Sequence, residues 1–366
     1  MENVRLIAFY LPQYYPTETN NMWYGEGFTE WTNVKKAKPL FRNHYQPKIP
    51  ANLGYYDLRD NDVRCAQANL AKQAGIEGFC YYHYWFGEGK RELEIPFNDV
   101  VNKKMPEFPF CLCWANQSWY SKFWSDDINC EPKLIVEQKY DNEEWIEKHF
   151  YSLFEAFSDS RYIRVNDRLL FLIYRPLEYV GGVRFFMDKW NDLAKKKGLN
   201  GFYFVGQATS DDDAQKIIDL GFDGVNIVRK DDFLKSRKYS NKLIKCYNKF
   251  LRLIGKAPYH YDYNKIYPFF INKNGIESKK GYFPTLIPNW DHSPRSGKRA
   301  IVFENSTPEN FEKHVKQCMG VVGNKEGDDN IVFLKSWNEW GEGNYVEPCK
   351  RYGLGYINVL KKYFDK

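Results

Sequence analysis

A (β/α)8 barrel is the fold this sequence predicts, and three observations predict it. Eight short apolar, aromatic-rich runs recur along the 366 residues. Amphipathic stretches separate most of them, and strand alternating with helix implies parallel βαβ units. Polar residues capable of chemistry stand at the C-terminal ends of the runs, and in a barrel those ends meet on the catalytic face.

The runs are Val4–Tyr10, Gly78–Trp85, Phe110–Ala115, Leu169–Tyr174, Phe202–Gln207, Gly224–Val228, Phe283–Pro288 and Ile331–Ser336. Several are nearly continuous in apolar residues, as strands covered on both faces require. Helices are expected over Asn61–Ala74, Asp141–Phe157, Val183–Lys197, Asp211–Leu220 and Pro308–Gly320, with Leu354–Phe364 after the last strand. A doubly wound open sheet is the competing architecture. Its phosphate-binding signatures, GxGxxG after a strand or GxxxxGK[ST], are missing. Residues 1–366 therefore read as a single barrel domain.

Two regions depart from the minimal repeat. Gln13 to Leu53 is a long, aromatic, Pro-rich loop expected to wall the site. Segment 230–281 reads as an insertion between strands six and seven. Within it Leu243, Ile244, Tyr247, Phe250, Leu251 and Ile254 fall near helical spacing, with Lys242, Lys245, Lys249 and Arg252 interleaved. A basic amphipathic helix over 240–256 fits an anionic membrane surface. Such a helix more often packs on its own domain with a solvated basic face, and both readings stay open.

Net charge is +6, and residues 230–256 carry seven Lys and two Arg against two Asp. The remainder is close to neutral, which argues against a nucleic-acid-binding surface. The eight Cys form no CxxC pair and no zinc-type His/Cys spacing. Cys111 and Cys113 share one face of a strand, a core pattern. Reduced thiols and the absence of a leader or an 18-residue apolar run lead to an expectation of a cytoplasmic protein. With 28 Tyr and 11 Trp, the chain has flat apolar faces with polar edges, which suit sugar rings and protein interfaces alike.

The last strand runs into SWNEWGEGNYVEP, Ser336–Pro348, where Glu339 and Glu342 stand three apart among Trp337, Trp340 and glycines. On a helical or turn-like backbone such positions are about 5–6 Å apart at Cβ, near the short carboxyl separation of retaining glycosidases. One acid can protonate a leaving oxygen while the second supplies a base or nucleophile. The flanking tryptophans desolvate the strand end and could raise a neighbouring acid's pKa. The bland alternative is a hydrogen-bonded pair at a strand end.

Other candidates follow from their positions. Tyr10 and Gln13 end strand one, His83 and Trp85 strand two, Trp114, Asn116 and Gln117 strand three. Tyr174 and Arg175 end strand four, Gln207 strand five, and Asn289, Asp291 and His292 follow strand seven. His83 reads either as a sugar contact or as a core histidine. Asp291 beside His292 lacks a third ligand at metal spacing, so no metal is expected. Asp211-Asp212-Asp213 contains DxD, but behind Thr209-Ser210 it reads as a helix cap. Asp126-Asp127 and Asp328-Asp329 read as turns.

Several strings carry a family resemblance: FYLPQYYP (9–16), GFTEWTNV (27–34), HYQPKIP (44–50), LGYYDLRD (53–60), GFCYYHYWF (78–86), CLCWANQSW (111–119) and the terminal SWNEWGEGNYVEP. Together they resemble WbsX-type proteins of bacterial surface-polysaccharide clusters. That group is often described as glycosyltransferase and is related to the family-99 glycoside hydrolases, the endo-α-mannosidases. The resemblance covers most of the chain and is weakest at 230–281. It implies a (β/α)8 barrel with catalytic Glu339 and Glu342. Glu339 would deprotonate a sugar 2-hydroxyl, which attacks the anomeric carbon to give a 1,2-anhydro intermediate, and Glu342 would protonate the leaving oxygen. WbsX-type relatives usually carry an acid where this chain has Gln117, so substrate preference is expected to differ.

The expectation is thus a carbohydrate-active enzyme acting at an α-glycosidic bond of a bacterial surface-type glycan, with no cofactor. Its partner is a glycan or lipid-linked saccharide, handled in the cytoplasm, with 240–256 available for contact with the inner membrane. Two rivals are a glycosyltransferase of O-antigen or capsule assembly and a non-catalytic glycan-binding barrel.

Overall fold

Eight parallel strands close into a barrel in the computed structural model, which describes residues 4–121, 131–140, 142–239, 246, 249–250, 259–272 and 275–365. They are β1 (Arg5–Tyr10), β2 (Gly78–Trp85), β3 (Phe110–Trp114), β4 (Arg168–Ile173), β5 (Phe202–Ala208), β6 (Gly224–Ile227), β7 (Tyr282–Leu286) and β8 (Ile331–Leu334). Each pairs with its sequence neighbour, and β8 returns to β1 with Arg5 opposite Ile331 and Ala8 opposite Leu334. Burial on both faces explains the continuous apolar runs. Every residue of β3, β6 and β8 is buried.

Helices cover the outside: α1 (Asn61–Gln73), α2 (Ile95–Asn102), α3 (Glu143–Ser152), α4 (Val183–Lys196), α5 (Asp211–Asp219), α6 (Pro308–Val322) and α7 (Gly355–Phe364). Asp60, Asn142, Ser210 and Thr307 cap α1, α3, α5 and α6 by accepting backbone N–H bonds. The DxD stretch is therefore the first turn of α5, as expected. The eight-residue α2 was not foreseen. It begins Ile95-Pro96 without a side-chain cap, so its sequence carries no start signal.

Between β6 and β7 the described part of segment 230–281 forms no barrel helix. Tyr259–Asp262 pairs in parallel with Ile301–Glu304, and Tyr263–Ile266 makes one short helical turn. Phe233, Tyr263, Ile266 and Phe270 join Ile287, Trp290 and Phe303 in a satellite core beside the end of β7. Of the basic stretch 240–256, Cys246, Lys249 and Phe250 are described and exposed. The remainder of that stretch, and Asp126-Asp127, lie outside the described residues. No helix among the described residues is long and apolar enough to cross a membrane.

At the N-terminal face Arg5 clamps three strand starts. It bonds both Glu77 oxygens at 2.7 and 2.8 Å and Asp328 at 2.7 Å. Cys111 and Cys113 are buried free thiols, in keeping with their core pattern. On the helix side Trp190 is fully buried among Phe150, Phe157, Phe171, Phe186 and Phe202. Trp190→Ala is expected to cost about 3–5 kcal/mol of stability, the range for emptying a core aromatic site. Urea unfolding followed by fluorescence measures it.

Candidate active site

The chain leaving β8 makes a sharp hairpin, and specific contacts fix its path. Asn338 Oδ1 accepts from Leu11 N at 2.8 Å and its Nδ2 donates to Leu11 O at 3.0 Å, extending the β1 edge by a side chain. Ser336 Oγ donates to Asn344 O at 2.7 Å and accepts from Glu339 N at 2.9 Å. Trp340 stacks on Tyr345 with centroids 3.7 Å apart, and its indole N–H donates to Glu347 at 2.6 Å. Glu347, also bonded by Tyr56 and Gln67, anchors the hairpin from below.

The two glycines of Trp-Gly-Glu-Gly have separate reasons. A Cβ on Gly341 would lie 1.5 Å from Glu30 Oε1, so glycine permits that carboxylate to approach. Gly343 is left-handed at φ +58, where glycine is favoured, and a Cβ there would lie 2.3 Å from Lys48 Nζ.

Above this hairpin opens a cavity of about 290 Å³. Gln13, Asn20 and Tyr24 come from the first loop, Tyr82 and Tyr84 from β2, and Gln117, Trp119 and Tyr120 from the loop after β3. Tyr174 and Arg175 follow β4, His292 and Arg295 follow β7, and Lys335, Glu339 and Glu342 follow β8. The carboxylate pair thus faces a walled pocket on the C-terminal side of the barrel.

Each glutamate has its own cation. Arg295 Nη1 bonds Glu342 at 2.6 Å, while its Nε and Nη2 each bond the fully buried Glu30 at 2.9 Å. Lys335 Nζ lies 3.7 Å from Glu339 Oε2 and donates to the Tyr82 hydroxyl at 2.8 Å. Glu339 Oε2 is buried and has no hydrogen-bond partner among the described residues.

Burial drives the Glu339 carboxyl up; Lys335 opposes this and Glu342 reinforces it, leaving it well above the usual carboxylate range. Burial pushes Glu342 up as well, but Arg295, His292 and Lys335 outweigh it and hold that group below the usual range. His292 is pulled down to about 4, chiefly by burial, and is neutral near pH 7.

Of the residues singled out in the sequence, Gln13, Gln117, Tyr174, Arg175, His292, Glu339 and Glu342 line this cavity. Others do not. Alternation on β2 runs opposite to expectation, with Tyr82 and Tyr84 inward. His83 instead bonds His149 of α3 at 2.8 Å, and Trp85 stacks on the same ring. Trp114 donates to Trp85 O and packs on Phe186 of α4. Tyr10 faces outward too, its hydroxyl donating to Gln67 at 2.7 Å. Trp337 and Trp340 are fully buried beneath the pocket floor.

Three further candidates serve as struts. Asn116 accepts from Arg175 N at 2.7 Å and donates to Arg175 O and to Tyr140. Gln207 joins Asn226 and Thr285 in a side-chain ladder across β5, β6 and β7. Asn289 bonds the Tyr345 backbone in both directions.

Asp291 is a buried hub, bonded by His44 at 2.9 Å, Gln46 at 2.6 Å and Ser293, with Lys48 at 3.7 Å. It ties the first loop to the seventh. Among the described residues no group of three or more His, Cys, Asp or Glu is placed to hold a metal ion.

Lys335, Arg295, Glu30, Tyr82 and Tyr84 escaped the sequence reading. A lysine directly after the apolar run of β8 was the available signal for the first. Nothing local marks Arg295 or Glu30, which meet across 265 residues.

The sequence matches the profile of the family described as "Glycosyltransferase WbsX" over residues 6–360. The chain belongs to that family. It is 29% identical over 369 residues to "Uncharacterized protein WxcX" of Xanthomonas campestris pv. campestris, covering 98% of this chain and 49% of the relative. The chain thus spans about half the length of the curated relatives it matches. In structure this WbsX-family chain is similar to a "Glycoside hydrolase-like protein" (TM-score 0.62, 14% identity, 100% of this chain and 94% of the other). It is also similar to the GH99 endo-alpha-mannosidase of Bacteroides thetaiotaomicron (TM-score 0.59, 12% identity, 99% and 96% covered). At such identities the likeness is one of fold, and the fold is the expected (β/α)8 barrel.

Two outcomes follow for the site's framework. Asp291→Ala strands His44, Gln46 and Lys48 and is expected to cost about 3–5 kcal/mol, as when one partner of a buried charge pair is removed; denaturant unfolding reads this. Burial raises the Asp291 carboxyl, but Lys48, His44 and Ser293 more than reverse it, so its pKa is depressed. Its stabilisation is therefore present above the unfolded value of about 3.9 and fades as pH falls through the folded one. Gly341→Ala is expected to displace Glu30 from Arg295 and abolish turnover while the far-ultraviolet circular dichroism is retained.

Proposed function

We propose that this chain is a carbohydrate-active enzyme that acts at an α-glycosidic bond through the carboxyl pair Glu339 and Glu342. The observation that carries the reading is the pair itself, set in an aromatic-walled pocket with Glu339 buried, one of its oxygens unpartnered among the described residues, and a different cation beside each member. With Glu339 raised and Glu342 lowered, the two carboxyls are set apart as an acid/base couple requires, and in the empty pocket a shared proton favours Glu339.

The route supported by the family resemblance uses the substrate's own 2-hydroxyl. On this route the resting proton passes from Glu339 to Glu342 as substrate binds, and Glu339, then ionised beside Lys335, takes the 2-hydroxyl proton. O2 attacks the anomeric carbon, the bond to the leaving oxygen breaks, and Glu342 delivers its proton to that oxygen. Water then opens the 1,2-anhydro sugar with the proton movements reversed, so configuration is retained. Arg295 sets the readiness of Glu342, and Tyr82, Tyr84, Trp119 and Tyr174 supply ring surfaces.

A second reading, transfer of the glycosyl group to a saccharide of a surface glycan, is favoured by the description of the family. Chromatography of products formed with water as sole acceptor, against added saccharide acceptors, separates the two.

Glu339→Gln and Glu342→Gln are each expected to lower kcat by at least about a hundredfold, the lower range of acid/base contributions. Glu342→Gln should recover on substrates with an activated phenolic leaving group and Glu339→Gln should not; the reverse pattern would exchange the two roles. A 2-deoxy substrate is expected to be inert.

The plot of kcat/KM against pH is expected to be bell-shaped. Removing the cation beside Glu342 raises that group's pKa, so Arg295→Met should move the acid limb to higher pH.

A further inference from the structure

The charged groups of the pocket are not evenly matched. Arg295 is met by two carboxylates and Lys335 by Glu339. Arg175 differs. Its side chain is 45% exposed at the pocket wall, and the nearest carboxylate oxygen among the described residues, on Glu178, is 3.9 Å away. That distance is too long for a hydrogen bond. The guanidinium instead lies over the Tyr174 ring, 5.0 Å from its centroid, and its Nε donates to Gln117 Oε1 at 3.4 Å.

The position of this arginine is built rather than incidental. Fully buried Asn116 spends both ends of its amide on Arg175, accepting from its N at 2.7 Å and donating to its O at 2.9 Å. Asn116 is itself held by Tyr140, whose hydroxyl bonds the Asn116 carbonyl at 2.6 Å. A strand-end arginine is thereby fixed at its backbone. Because Gln117 turns its carbonyl oxygen toward Arg175, its amide nitrogen remains a donor. Two adjacent cavity-lining residues thus offer a guanidinium and an amide N–H, and neither guanidinium terminus is bonded to a described residue. A set of donors without an acceptor matches a ligand of acceptors only.

We propose that Arg175 and Gln117 form an anion-binding subsite of the catalytic pocket, so that the saccharide processed carries a carboxylate or phosphate group within reach of the reacting bond. The inference rests on the carbohydrate-active reading and narrows its substrate class. The two sources share anionic oxygens. One is a uronic acid in the glycan; the other is the phosphate of an activated sugar.

The test is a titration of the full chain with methyl α-glucuronide, methyl α-glucoside and pyrophosphate at one fixed ionic strength, followed by ligand-observed NMR. The same titrations use Arg175→Met, Arg175→Lys and Gln117→Glu. At least one anion is expected to bind about tenfold more tightly than the neutral glycoside, the effect of one charge-assisted contact. Arg175→Met and Gln117→Glu should abolish the difference, and Arg175→Lys should keep part of it. Preference for the glucuronide assigns the anion to the sugar, and preference for pyrophosphate assigns it to a phosphate. Equal binding of all three probes, no binding of either anion, or an anion preference unchanged in Arg175→Met overturns the proposal. Repeating the titrations in Glu339→Gln keeps the two readings distinct. Anion preference that persists there, while the unsubstituted chain turns over no glycoside, leaves the subsite standing and removes the catalytic reading.

Discussion

Arg295 is the constraint on which the pocket depends. It is largely buried at the cavity wall, and it bridges a carboxylate from the first loop to one from the eighth. A buried guanidinium is costly unless its donors are met. Here they are met by Glu30 and Glu342, and the glycine at 341 leaves the space that the Glu30 carboxylate fills. Breaking this arrangement would strand charge in a dry interior and free the loop that walls the cavity. The same contact gives Glu342 its low pKa, so architecture and electrostatics share one interaction.

The asymmetry between the glutamates follows from their neighbours rather than their types. Both are carboxyls on one short turn, Glu339 buried and Glu342 part-buried. Glu342 receives a direct ion pair, while Glu339 has an ammonium at longer range that is also engaged with Tyr82. Two like groups in one cavity cannot both ionise cheaply, and unequal cations decide which does. On the proposed route, a substrate hydroxyl bonding Glu339 Oε2 would favour its ionised form. For this reason the resting proton position and the role implied by the family resemblance need not coincide.

Much of the barrel was legible in the sequence, because strands covered on both faces must be apolar throughout and their caps are local. All eight runs became strands within two residues of expectation. The same continuity hid which residues face inward. Along β2 the string Tyr-Tyr-His-Tyr-Trp offers no polar alternation, so His83 and Trp85 were expected in the pocket and Tyr82 and Tyr84 were passed over. The glutamate pair was legible from its glycines and strand-end position. Arg295, Glu30 and the Asp291 hub were not, since each depends on contacts between loops more than 240 residues apart. The helix α2 lacked a capping residue, and segment 230–281 lacked a repeat to compare with.

The long reach of the Glu30–Arg295 contact has a consequence for how the chain matures. During synthesis the first loop emerges with a carboxylate destined for burial and no counter-charge yet made. Its partner is translated 265 residues later, followed by the strand that seals the barrel against β1. Vectorial folding can therefore assemble most of the helical coat before the pocket exists. Nascent chains halted ahead of residue 295 should carry an unlatched first loop, open to proteases and chaperones until Arg295 arrives.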